Sequence, residues 1–105
     1  MTIIDPHIST VENYPVSEEL IQNGMNRLNT DCVVKKPNNE LFVGKCWPGD
    51  SFYADFLNPK LEDIWKKFFL NEDYFLNMKN IHTWIDMNEP SVFTSIEITM
   101  PKENL

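Results

Sequence analysis

Trp84-Ile85-Asp86-Met87-Asn88-Glu89-Pro90-Ser91-Val92-Phe93 is the stretch whose reading decides the fold of this chain. Residues 81–85 are rich in β-branched and aromatic side chains, the composition of a strand buried on both faces. At Asp86 the pattern turns polar, and Pro90 closes the turn with a residue that has no amide to donate. Asp86 is therefore expected at the C-terminal end of a strand. In parallel α/β architectures that end is the face on which chemistry collects, whereas an acid in mid-strand would be buried at high cost. Two readings stay open on spacing alone. Asp86 is either an acid placed for chemistry or a strand-terminal Asp that caps the next turn.

Working outward, residues 71–80 read as a polar connection with one aromatic pair, Tyr74 and Phe75. Before it lies the strongest helix signal, with Asn58 as N-cap, Pro59 in the first helical position, and Glu62 and Asp63 at the positive end of the dipole. Leu61, Ile64, Trp65, Phe68 and Phe69 recur at helical spacing on one face, with Lys66 and Lys67 facing outward. Trp65 is expected in the core. Residues 32–36 and 40–45 predict a β-hairpin about Pro37-Asn38-Asn39, and residues 17–24 a short helix with Ser17 as N-cap and Gly24 at its end. Residues 2–4 predict a buried strand stopped by Asp5-Pro6. Strand, elaborated loop, helix, strand is the order of one crossover unit in an α/β protein.

The formal net charge is −7, and the nine Lys and Arg form no basic stripe. Nucleic acids and anionic membranes are therefore not expected partners. No apolar run reaches the roughly 20 residues of a membrane span, and no signal peptide precedes the first strand pattern. For a protein of the secretory pathway, this points to a truncated or partial reading frame. Cys32 and Cys46 lack Cys-x-x-Cys spacing and are expected as buried free thiols, or facing each other across a hairpin. His7 and His82 have no partners at metal-ligand spacing, and no metal or cofactor is expected.

The Trp84–Phe93 segment resembles the nucleophile segment of glycoside hydrolase family 31, the α-glucosidase and α-xylosidase family. Three further segments resemble it in the same order: Thr2-Ile3-Ile4-Asp5-Pro6-His7-Ile8, then Cys46-Trp47-Pro48-Gly49, then Asp55-Phe56-Leu57-Asn58-Pro59. The tail, residues 97–105, is similar to the branch that trims glucose from N-linked glycans. The resemblance implies a fold: a fragment of a (β/α)8 TIM barrel with two barrel strands, an inserted hairpin loop and one main helix. Such a barrel needs roughly 200 residues or more, so residues 1–105 are expected to be part of a family 31 catalytic domain.

The same resemblance implies roles. Asp86 matches the nucleophile of a retaining mechanism, and its acid/base partner would be an Asp on a later strand, outside this chain. Glu89 is expected to orient neighbouring groups and modulate Asp86. Trp47, Ile8 and Met87 match positions that line the sugar site. Read from their residue types alone, Trp47 could equally be packed under its Pro-Gly turn, and Ile8 and Met87 could be ordinary core. The implied substrate is an α-glucoside or glucosylated oligosaccharide, the implied partner of the parent protein a non-catalytic β subunit, and the implied compartment the lumen of the endoplasmic reticulum. Without its acid/base carboxyl the isolated chain is expected to be inactive. The alternative, from a different class, is a non-catalytic remnant that at most associates with other chains through exposed strand edges.

Overall fold

The computed structural model describes residues 1–25, 32–70 and 82–104. Ile81 and the connection 71–80, with Tyr74 and Phe75, lie outside the described residues. In chain order the elements are β1 (Thr2–Ile4), β2 (His7–Ser9), α1 (Pro15–Met25), β3 (Gly44–Cys46), β4 (Gly49–Tyr53), α2 (Lys60–Leu70) and β5 (Thr83–Ile85).

β1 and β5 pair in parallel, with Ile3 opposite Trp84 and Ile4 opposite Ile85. Parallel partners need a crossover, and the long segment between them, α2 included, supplies it. Contrary to the buried strands expected, Ile3, Trp84 and Ile85 are 56%, 52% and 69% exposed. A parallel pair is buried only when both of its faces are covered. Here a cavity of about 380 Å³, lined by Ile4, Phe56, Trp65, Phe69, Thr83 and Ile85 among others, separates one side of the pair from α2.

The packed core lies elsewhere. Ile8, Leu20, Cys32, Val33, Ala54 and Leu61 form one buried cluster, with Ile64 and Trp65 packed against it. It joins the two helices to a second, antiparallel sheet of order β2-β4-β3. Fully burying a Leu such as Leu20 or Leu61 contributes about 1.5–3 kcal/mol. Trp65 has its expected packing role, meeting Phe56 edge-on at 5.1 Å and Phe68 at 6.0 Å.

Asn58 caps α2 as its sequence predicts: its Oδ1 accepts the Lys60 amide at 3.0 Å and its carbonyl the Leu61 amide at 3.0 Å. α1 differs. It starts at Pro15, before Ser17, and continues through Gly24 to Met25. Proline's fixed φ suits the first helical position, so Ser17 falls inside the first turn and its hydroxyl donates back to the Tyr14 carbonyl at 3.0 Å. The short helix expected over residues 17–24 thus equals the expected main helix in length, at 11 residues each.

The expected hairpin forms at its tip. Lys35 and Leu41 bridge, the Lys36 amide donates to the Glu40 carbonyl at 2.8 Å, and Asn39 takes φ 66°. Its second arm then turns again at Trp47-Pro48-Gly49, where Gly49 takes φ 93°, a value that favours glycine. β3 accordingly pairs with β4, and the predicted hairpin loop grows into a three-stranded antiparallel sheet. Cys32 and Cys46 are both buried, and neither is in a disulfide. Among the described residues, no helix is long and apolar enough to cross a membrane.

Candidate active site

The site is built where β1 and β5 end side by side. The Asp86 amide donates to the Ile4 carbonyl at 3.1 Å, the last rung before both chains leave the sheet. Because Ile4 and Ile85 are in register, Asp5 and Asp86 leave adjacent parallel strands at the same level. Met87 then enters the left-handed region with φ 58°, and its amide is accepted by Asp86 Oδ1 at 2.9 Å. The turn-capping reading of Asp86 therefore describes one of its oxygens, while the side chain as a whole stays exposed.

The β3–β4 turn lays Trp47 over this position. Trp47 Nε1 donates to Met87 Sδ at 3.0 Å, and its ring meets Phe93 edge-on at 5.2 Å and 90°. Trp47 is not packed beneath its own turn: it is 73% exposed, an aromatic surface beside an exposed carboxylate. Asp86, Met87 and Trp47, three of the five residues singled out in the sequence, come together here. Glu89 belongs to the same turn, with its Oε2 paired to the Ser91 hydroxyl. Ile8 takes a different place. It is buried in β2 opposite Phe52, within the main core cluster, and lines a cavity of about 410 Å³ together with Asp5 and His7.

Sequence reasoning passed over three residues that the structure draws in. Phe93 extends the aromatic surface of Trp47. Tyr53, on β4, donates its phenol hydroxyl to the Ser91 carbonyl at 2.7 Å. Asp5 has its Oδ1 buried without a hydrogen-bond partner, and its Oδ2 lies 3.5 Å from His7 Nε2. A signal for Asp5 was present, since an apolar run ends in Asp at Asp5 as it does at Asp86. A buried acceptor left unpaired costs about 1–3 kcal/mol, so an incoming donor would be welcome there.

Cys46 lies among these groups. Burial pushes its thiol pKa up, the Trp47 backbone draws it down, and the charge of Asp5, with a smaller contribution from Glu89, pushes it up again. Burial likewise holds the Tyr53 phenol far above its ordinary range, with Cys46 adding to it. Both shifts favour the uncharged thiol and phenol at neutral pH. Among the described residues no three His, Cys, Asp or Glu side chains are grouped to hold a metal ion.

Asp5 and Asp86 follow neighbouring strand ends, and Trp47 lies against Met87, next to the second of them; comparison with known proteins names the class. Residues 1–105 match the family model for the glycosyl hydrolases family 31 TIM-barrel domain, and the chain belongs to glycoside hydrolase family 31. Among its relatives are pig neutral alpha-glucosidase AB (Sus scrofa), 41% identical over 103 residues, and a probable glucan 1,3-alpha-glucosidase of Arabidopsis thaliana, 39% identical over 105. These alignments cover 98% and 100% of this chain but only 10% and 11% of the relatives, so the chain spans about a tenth of their length. Among solved structures, the glucosidase II alpha subunit bound to alpha3-Glc2 superposes with a TM-score of 0.85 at 44% identity, covering 99% of this chain and 10% of that one. The catalytic subunit in an ER glucosidase II heterodimeric complex with the binding domain of its regulatory subunit gives 0.85 at 45%, covering 99% and 11%.

Proposed function

We propose that residues 1–105 are part of a family 31 catalytic barrel and carry the nucleophile half of a retaining α-glucosidase site. β1 and β5 are two neighbouring barrel strands in this reading, α2 is the crossover helix, and the antiparallel sheet is an excursion from the strand-to-helix loop. The observation that carries it is the exposed Asp86 carboxylate at the C-terminal end of β5, beside the open face of Trp47.

In the first step the Asp86 carboxylate bonds to the anomeric carbon. The glycosidic C–O bond breaks, its electron pair leaves with the aglycone oxygen, and that oxygen takes a proton from an acid outside residues 1–105. Water then attacks the anomeric carbon of the ester, gives its proton to the same group, and releases Asp86. Trp47 supplies a flat apolar wall for the pyranose C–H surface, Phe93 extends that wall, and Met87 anchors the indole. The unpaired Asp5 Oδ1 is an acceptor suited to a sugar hydroxyl. Glu89, tied to Ser91, is kept from swinging against Asp86. Ile8 shapes the floor under Asp5 from within the core.

The resemblance further implies that the complete protein trims glucose from N-linked glycans in the endoplasmic reticulum lumen with a non-catalytic β subunit, a reading supported by the similarity to the catalytic subunit of an ER glucosidase II complex that includes the binding domain of a regulatory subunit. The test is stereochemical. The complete protein carrying this chain should release α-glucose first when its hydrolysis of an α-glucoside is followed by proton NMR, and Asp86→Asn should cut turnover by about 10³-fold or more. Release of the β anomer first, or an Asp86→Asn enzyme within tenfold of the parent, contradicts the reading.

A further inference from the structure

The turn after β5 is gripped by the antiparallel sheet, and one buried grip is a phenol. Tyr53 is 1% exposed and packs with Phe42 and Val92, a cluster in which a phenylalanine would fill space equally well. A buried hydroxyl among apolar rings is costly unless it is bonded. The Tyr53 hydroxyl meets the Cys46 thiol and donates to the main chain of the turn, at the buried Ser91 carbonyl, 2.7 Å away. Gly44 leaves no slack in this arrangement: a Cβ there would lie 3.0 Å from Val92 Cγ1 and 3.1 Å from Tyr53 Cε2.

From Ser91 the constraint runs to the site by two routes. The Ser91 hydroxyl holds Glu89 Oε2, and the Ser91 amide donates to the Met87 carbonyl at 3.1 Å. Met87 in turn donates its amide to Asp86 Oδ1. A shift of Ser91 is thus passed to both carboxylates of the turn.

We propose that Tyr53 is a positioning residue for Asp86: by holding the Ser91 carbonyl it fixes Ser91 on Glu89 and keeps turn 86–91 in the conformation that presents Asp86 beside Trp47. Tyr53 touches no substrate and acts only through Ser91. This inference rests on the proposed glycosidase reading. Because the Ser91 hydroxyl carries one of the two routes that Tyr53 holds, the losses on removing the two hydroxyls should overlap and not add.

The experiment uses the complete protein and counts competent sites with a mechanism-based fluorinated glucosyl reagent. In Tyr53→Phe, kcat per titrated site should fall at least tenfold with KM within twofold of the parent. Ser91→Ala, which leaves the bond from the Ser91 amide to Met87, should lose part of that factor, and the double variant should be no worse than Tyr53→Phe. A hydroxyl that only stabilises the fold would lower the melting temperature or the number of titratable sites and leave kcat per site at the parental value. That result in either variant overturns the proposal, so a Tyr53→Phe protein that fails to fold leaves Ser91→Ala to decide it. Multiplying losses in the double variant overturn it too. A parent that takes no label overturns the glycosidase reading and this inference with it; a labelled parent with unchanged variants overturns the inference alone.

Discussion

Asp86 satisfies the Met87 amide with one oxygen and remains exposed, so the turn it caps is the turn that presents it. Asp86, Met87, Glu89 and Trp47 were singled out in the sequence because they lie in two short segments that resemble a known family, and the structure brings Asp86, Met87 and Trp47 together. The end of an apolar run marked Asp5, but its buried contact with His7 was not legible, since burial is something no spacing reports. His7 is buried beside Asp5; desolvation holds its pKa below the ordinary value, and the Asp5 charge opposes this only in part. The folded state therefore binds a proton less readily than the unfolded chain, whose histidines titrate near 6.5. The stability that a neutral His7 contributes is fully present above that pH and is lost as pH falls below about 6.5 toward the lowered folded value. Urea midpoints of the complete protein should decline between about pH 7 and 5.5, and His7→Gln should flatten the decline. Equal slopes in parent and variant contradict the assignment.

At the scale of elements, the strongest sequence signals formed as expected. α2 has a cap, a proline and an apolar stripe that agree with one another, and the parallel pair β1–β5 follows from two short β-branched runs joined by a crossover. The antiparallel sheet was legible only at its Pro37-Asn38-Asn39 tip. β2 is three residues long, and β4 contains Gly49, Asp50 and Ser51, poor strand formers whose pairing is decided by β2 and β3 on either side. The sheet's fit to the candidate site is tight at Gly44, where a methyl group would meet Val92, Tyr53 and Phe42 at 3.0–3.2 Å. Gly44→Ala should therefore destabilise the protein by about 1–3 kcal/mol, as overpacking does, seen as a lower denaturant midpoint with an unchanged slope. A midpoint equal to the parent's would show that β3 and the turn are packed more loosely than these distances require.

For the whole molecule, the notable asymmetry is that the core lies between the helices and the excursion sheet while the two strands that bear the acids are half bare. On the proposed barrel reading, the cover of β1 and β5 comes from parts of the domain outside residues 1–105. The same reading explains why the sequence patterns of residues 81–85 read as buried when the strand is exposed: composition records the environment a strand is built for. The central claim is that Asp86 is the group that bonds to sugar. The most direct measurement is peptide mapping by mass spectrometry after the complete protein has reacted with a fluorinated α-glucosyl reagent that traps the glycosyl-enzyme. The account predicts one glycosylated peptide containing residues 84–93, with the ester on Asp86; an ester on Glu89 with Asp86 unmodified, or a labelled peptide from outside this segment, would contradict it.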